Sequence, residues 1–356
     1  MDERAYLFWL ANVLEIGAVT LRRLFNHFNS ARAVYEAPPK DLMGLFKIPQ
    51  SKAEVIIAHR DKWKLAGEWE DFLRKGIGFV TIGDDNYPKR LKNIYDPPFA
   101  LFYIGELPDD DKKTVAIVGA RECTPYGKEA AYRMGANFAR ADTVVISGLA
   151  RGVDSYGHKG ALSEGGKTYG VLGCGVNIVY PPENGELYKE IAKTGGVISE
   201  FPPDSPPVQK GFPMRNRIIA GLSQAVYVVE AREKSGSLIT ADLALEQGRD
   251  VYALPGRVTD KLSSGCNKLI RQGAGIITSV DEVVSDIENV PGLQAKLESL
   301  SREESMVYNT LSLHPKGFGT IADETGIDPV RLFEIVESLE DLGRIKEQYN
   351  NHYIIQ

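Results

Sequence analysis

The 356-residue sequence predicts an α/β protein: a mostly parallel sheet alternating with helices, preceded by a helical domain and followed by a small helix-and-hairpin domain. Three observations predict it. Apolar residues recur at three- and four-residue spacings near the N-terminus, as in Leu10, Val13, Leu14 and Leu21, Leu24, Phe25. From about Thr114, short β-branched runs alternate with amphipathic stretches, the texture of βαβ units. After a polar connector at 281–300 that contains Pro291 and Gly292, helical patterns return and the chain ends in a hairpin pattern. The boundaries that follow are a helical domain over 1–75, a sheet domain over 76–288 and a C-terminal domain over 300–356.

In chain order, LEIGAVTLRRLF and LFKIPQSKAEVI place turns at Ile16-Gly17 and Ile48-Pro49 between helical patterns, as helix-hairpin-helix or SAM-like domains do. Such a hairpin can hold a nucleic-acid backbone on the amides of a helix start. A packed hairpin with no ligand fits the same pattern. The stretch 85–110 reads as a connection to the sheet. Strand candidates then follow as TVAIVGA, TVVISGL, TYGVLG, GVISEF, AVYVVEA, DVYALPG and AGIITS, with helices starting near Pro125, Asp154, Glu183, Met214, Ser237 and Cys266. An open sheet of this kind is Rossmann-like and binds ligands at the carboxyl ends of its strands. In the tail, SMVYNTLSLHP, TIADETG and DPVRLFEIVESLEDLG read as helices, and RIKEQYNNHYII as a hairpin turning at Asn350-Asn351, which together make a winged helix.

With 43% hydrophobic and 25% charged residues the chain suits a folded multidomain protein. Asp2 and Glu3 stand where a secretory signal would carry bases, and no apolar run approaches bilayer length, so a cytoplasmic protein with no membrane role is expected. Cys123, Cys174 and Cys266 are too scattered for a disulfide framework or a zinc site and read as free thiols. The net charge of −6 is unevenly spread. From Glu303 to Gln356 ten acids face four bases, whereas between Lys210 and Arg271 ten bases face six acids. A basic sheet segment and an acidic tail place any nucleic-acid contact on the former.

Four segments carry the chemistry. Gly119-Ala120-Arg121 follows a strand and precedes Thr124-Pro125, a cap and first-turn pair whose free amides, with the arginine fork, suit a phosphate. A dinucleotide fingerprint would need GxGxxG here, and the sequence has VGARECTPYG. In SGLARGVDSYGHKGAL, Gly148, Arg151 and Gly152 build a second loop into a helix capped by Asp154, and His158 reads as a local hydrogen-bonding residue. LGCGVNIVYPPENGELY supplies a close turn at Gly173 and Gly175, with Tyr180 open between packing and base stacking. Finally Gln209, Lys210, Gly211 and Phe212 lead into Arg215, Asn216 and Arg217, combining cations with an aromatic face as single strands require. Phe212 taken alone suits core filling equally well. Walker A, GxSxG and metal-ligand spacings are missing, so no catalytic set, metal or cofactor is expected. Glu200 and Glu230, each ending a strand, leave a paired-carboxylate hydrolase acting on nucleoside monophosphates as the alternative.

Together these motifs, with FPMRNRIIAGLS, VVEAREKSGSLITADLALEQGRDVYALPG and GCNKLIRQGA, resemble the DNA-processing protein A family, DprA, also called Smf. The resemblance is dense over roughly 110–280 and implies an extended Rossmann fold and a homodimer. It also implies sequence-independent binding and protection of single-stranded DNA, and delivery of that strand to the RecA recombinase in natural transformation. The family's Gly-Ser/Ala-Arg and Lys-x-x-Phe-Pro segments carry over to Gly119, Ala120, Arg121 and Phe212. Gln209 stands where the lysine would, with Lys210 one position later. The implied dimer surface falls at Leu269 and Ile270. The related nucleotide-processing branch carries PGGxGT, whereas this chain has SGSLITADLALEQG. The acids of DPVRLFEIVESLEDLG, set against Arg331 alone, predict a tail helix that does not enter a DNA groove.

Overall fold

The computed structural model describes residues 1–45, 48–281, 283–284, 301–311, 315–341, 345–349 and 351–355, in two compact units, Met1–Ser285 and Asp286–Gln356. Most of the connector at 281–300, and Asn350 of the expected turn, lie outside the described residues.

Among the described residues the first unit opens with six α-helices: α1 (Glu3–Ala11), α2 (Gly17–Phe28), α3 (Ala31–Glu36), α4 (Pro39–Met43), α5 (Gln50–Lys62) and α6 (Leu65–Arg74). Asp2 caps α1 by accepting from Ala5 N, and the helix is buried from Ala5 to Ala11. The expected breaks are present: a short 3-10 turn at Leu14–Ile16 leads into α2, and Pro49 precedes α5. Phe8 meets Phe72 at 4.4 Å and lies edge-on to Phe79 and Phe102, so one aromatic cluster joins the helices to the edge of the sheet. Arg4 strengthens that seam, donating to Asp84 and to the Phe79 carbonyl.

Among the described residues the sheet has nine strands. After β1 (Gly78–Thr81), α7 (Lys89–Lys92) and β2 (Ala100–Gly105) come the seven strands read from the sequence: β3 (Thr114–Val118), β4 (Val144–Ser147), β5 (Thr168–Leu172), β6 (Gly196–Ser199), β7 (Ala225–Val228), β8 (Asp250–Ala253) and β9 (Gly275–Ile276). Their order in the sheet is β1-β2-β6-β5-β4-β3-β7-β8-β9. The pairings from β6 to β9 are parallel. β2 runs antiparallel to β6, with Tyr103 opposite Ile198, and β1 antiparallel to β2. The two antiparallel strands are the departure from expectation, because 85–110 supplies a strand as well as a connection. FALFYIG is an apolar, β-rich run whose flanking prolines make it read as linker.

Helices α8 (Pro125–Arg140), α9 (Val153–Ser163), α10 (Gly185–Thr194), α11 (Gly211–Leu222), α12 (Gly236–Glu246) and α13 (Ser264–Arg271) connect the strands. β3 is buried at every residue and serves both faces of the sheet. Ala116 and Val118 pack with Ile218 of α11 and Ala241 of α12, while Ile117 points the other way, to Gly157 of α9. α8 crosses α9 so closely that a Cβ on Gly160 would lie 1.9 Å from the Tyr132 carbonyl oxygen, so the crossing needs glycine. The strand order reverses between β3 and β7. In open α/β sheets such a switch point leaves a crevice at the carboxyl ends of the strands.

The second unit contains α14 (Arg302–Thr310), β10 (Lys316–Gly317), α15 (Phe318–Thr325), α16 (Pro329–Asp341), β11 (Ile345–Tyr349) and β12 (His352–Ile355), with a sheet in the order β10-β12-β11. Ser301 and Glu304 form a reciprocal capping box at the start of α14. Val307, Ile321, Leu332, Ile335 and Leu339 make the core. Three helices and a hairpin thus stand in the order read from the sequence.

Candidate nucleic-acid interface

The crevice at the β3/β7 switch point is a cleft of about 560 Å³. Gly119 and Arg121 come to it from the end of β3, Ala150 from β4, Phe212 and Arg215 from α11, and Ser235 to Ser237 from the turn after β7. An inner recess of about 40 Å³ continues between Gly148, Leu172, Gly173, Cys174 and Arg215.

At the mouth, the Arg121 guanidinium lies 5.2 Å from the centroid of the Phe212 ring, and the Tyr180 ring stacks on Phe212 at 5.5 Å with 30° between planes. Phe212 is the second residue of α11, which starts at Gly211, a turn earlier than expected. The early start holds the aromatic ring on a rigid element. Pro213 is tolerated in this first turn because its missing N–H would have no helical partner.

Arg215 lies behind the stack, 5% exposed, with Nη1 donating to the Gly148 carbonyl at 2.7 Å and also to the Val171 carbonyl, and Nε to Asn216 Oδ1 at 3.2 Å. Burial pulls its pKa down to about 10, with the Asp154 carboxylate opposing, so it remains a cation at neutral pH. A Cβ on Gly148 would come within 2.6 Å of that guanidinium, so only glycine leaves room for it. Asn216 Nδ2 donates to the Gly236 carbonyl and ties α11 to the start of α12.

Asp154 is not the cap of α9. Gly152 holds that position, and Asp154 Oδ2 reaches back to accept from Gly148 N at 3.1 Å and Ala150 N at 3.4 Å, so it braces the loop. Burial raises its pKa against the nearby Arg215 charge and these amides. Arg151 is exposed, lines the inner recess and pairs with Glu183. His158 is buried with Nδ1 2.6 Å from Thr168 Oγ1, so it is a hydrogen-bonding residue as read, but its partner stands on β5 and not on its own helix. Cys174 lines the recess with its thiol pushed up to about 11 by burial, and so stays protonated. Of the other cysteines, Cys266 is buried and Cys123 half-buried.

Four expectations need correction. The start of α8 is capped by Thr124 as read, but its amide is not free: Glu230, 3% exposed, accepts from Thr124 N at 2.8 Å and from Thr124 Oγ1 at 2.5 Å. The chain's own carboxylate fills the place where a phosphate was expected. Arg217 faces away from the cleft, donating to Glu200 at 2.6 Å and to the Asp96 carbonyl at 2.9 Å, because position 217 falls on the side of α11 that meets those carboxylates. These two pairings also separate Glu200 and Glu230 into different networks, and neither lines the cleft. Leu269 is 5% exposed and packed in the core with Cys266, so it offers no surface to a second copy, while Ile270 is half-buried. Gln209 lines the cleft, Ala120 is buried beside it, and Lys210 is exposed at the start of α11 without lining it.

The sequence reading missed Ser235, Gly236, Ser237 and Thr240 as cleft residues. It placed a helix start near Ser237, but only the strand order puts β7 beside β3.

The family model for DNA recombination-mediator protein A matches residues 78–288. The chain belongs to this family. Among its relatives, protein Smf of Synechocystis is 37% identical over 296 residues, which are 82% of this chain and 74% of that protein. The DNA processing protein DprA of Bacillus subtilis is 43% identical over 217 residues, 61% of this chain and 73% of that one. The X-ray structure of DNA processing protein A from Streptococcus pneumoniae superposes with a TM-score of 0.68 at 34% identity, covering 79% of this chain and 97% of that one. The structure of the Helicobacter pylori protein, described for its single-stranded DNA binding mode, gives 0.54 at 31% identity, covering 59% and 95%. A DNA-processing, recombination-mediator role follows from membership. Among the described residues, no helix is long and apolar enough to cross a membrane, and no cluster of three or more His, Cys, Asp or Glu could hold a metal ion.

Proposed function

We propose that the cleft holds single-stranded DNA without reading its sequence, and that the protein acts by binding rather than by catalysis. The observation that carries this reading is the Arg121–Phe212–Tyr180 stack at the cleft mouth. A base has a π-face whatever its identity, so exposed aromatic surface beside a fixed guanidinium holds base and phosphate together with no hydrogen-bond code. Arg215 adds a buried positive charge beneath. Gly119, Ala120, Gly148 and Gly211 shape the wall, Arg151 flanks the recess, and Gln209, Lys210 and Asn216 complete the α11 side. The single-stranded DNA binding of the Helicobacter pylori relative supports the same use of this chain's cleft. Family membership extends the proposal to a cytoplasmic homodimer that shields the strand and delivers it to RecA during transformation.

Fluorescence titration with labelled single- and double-stranded oligonucleotides at several salt concentrations tests the binding. The expected result is tighter single-strand binding that weakens linearly in log–log salt plots. Equal or tighter duplex binding would overturn the reading, as would sustained release of free base from nucleoside monophosphates.

A further inference from the structure

On the reading that the cleft seats a single strand, the geometry points to a second phosphate seat at the start of α12, formed by Gly236, Ser237 and Thr240. The strand's next phosphodiester, beyond the one held by Arg121, would sit there. The seat falls within SGSLITADLALEQG, on the opposite strand-end turn of the switch point from Arg121.

The other turns around the cleft are already committed. Glu230 occupies the start of α8, and Asp154 holds the amides of Gly148 and Ala150. Among the described residues no carboxylate holds the start of α12: Ser235 caps it, and its Oγ lies 2.7 Å from Ser237 Oγ. A Cβ on Gly236 would meet nothing within 4 Å, so open space stands over the first residue of the helix. Ser237 N reaches only Ser235 Oγ, at 3.4 Å, the outer limit of a hydrogen bond. Thr240, one turn further, is 2% exposed and lines the cleft, yet its hydroxyl has no hydrogen-bond partner among the described residues. A hydroxyl that opens onto a polar cleft with no protein partner is free to donate to a ligand acceptor there. The helix dipole and first-turn amides favour a negatively charged acceptor, and Asn216 holds this wall to α11. Two hydroxyls and first-turn amides bind one phosphate oxygen or two without touching a base, in keeping with a sequence-independent strand.

Two variants test the seat. Ser237→Ala with Thr240→Val removes both hydroxyls at nearly constant volume. Ser237→Asp places a negative charge where the phosphate would sit, and an acid in a first helical turn favours the fold. Both should unfold at wild-type temperature. In titrations with labelled oligothymidylate, the double variant should lose about tenfold in affinity, and Ser237→Asp more. Replacing one linkage at a time with an uncharged methylphosphonate should reveal one position, adjacent to the Arg121-dependent one, that costs the wild type affinity and costs the double variant nothing further. If wild type binds the strand and both variants match it, the seat is overturned while the reading of the cleft stands. If wild type does not bind single strands, both fall. If thymidine monophosphate binds wild type at micromolar concentration, the double variant abolishes that binding, and the methylphosphonate pattern is the same in both proteins, the seat belongs to a free nucleotide and the proposal is overturned.

Discussion

Phe212 and Arg121 touch each other but should fail differently when changed. Loss of the ring in Phe212→Leu should weaken oligonucleotide binding by about 1–3 kcal/mol with an unchanged salt slope, because stacking releases no counterion. Loss of the charge in Arg121→Gln should flatten the slope by about 0.7 as one phosphate contact disappears. Titrations of the two variants at several salt concentrations separate these outcomes. Gly148→Ala should reduce affinity through Arg215, whose guanidinium has no room beside a Cβ; the measurement is affinity together with thermal unfolding. His158 controls stability and not binding. The Thr168 hydroxyl already donates to the Val145 carbonyl at 2.7 Å, so it accepts from the histidine Nδ1–H, and Nε2 is left buried without a partner. Burial, seconded by the nearby Arg215, lowers the histidine pKa from 6.5 to about 3. The unfolded chain therefore takes up a proton that the folded one refuses, and stability falls as pH drops through that window, by roughly 1.4 kcal/mol per unit at most. Urea unfolding at pH 7 and pH 5 should show a loss in wild type that His158→Asn largely removes.

At the scale of elements, α11 has two working faces. Phe212 and Arg215 serve the cleft, while Arg217, on the far side, is clamped by Glu200 and Asp96. Arg217→Met should therefore leave the salt slope of strand binding unchanged. It should destabilise the fold by about 3–5 kcal/mol, because it strands largely buried carboxylate charge; adding Glu200→Leu should recover part of that loss in chemical denaturation. The RNR triplet shows where sequence reading stops. Its charges place α11 in a basic segment, but which arginine turns away from the cleft depends on neighbours 121 and 17 residues away in the chain. The seven parallel strands were legible because nearly every one is a short apolar run that ends at or near Gly or Ser. β1 and β2 were not, since β2 joins the sheet through β6, far along the chain, and β1 pairs only with β2. Glu230 likewise reads as a strand-end acid until the fold brings Thr124 to it. Gly119 and Arg121 could be picked out from strand-end position and chemistry, and Phe212 only together with its flanking cations and the family resemblance, whereas the turn at Ser235–Ser237 needed the strand order.

For the whole molecule, the division into two compact units carries a prediction of its own. Every residue lining the cleft belongs to Met1–Ser285, and α16 brings acids that repel phosphates. Removal of 300–356 should leave single-strand affinity essentially unchanged in the same titration, whereas a large loss would show that the tail takes part. The aromatic seam between α1, α6 and the first two strands makes the front helices a different matter, since they share a core with the sheet. The carboxylate of Glu230 has a consequence at this scale as well. A nucleotide enzyme grips a single small molecule by its phosphates at such a helix start, and here that handhold is filled from within. On the proposed reading, what remains is a row of separate footholds along an open cleft. Retention would then depend on how many are occupied at once, so polymer length would do the work that tight recognition does elsewhere, and a strand could shift by one nucleotide without ever letting go.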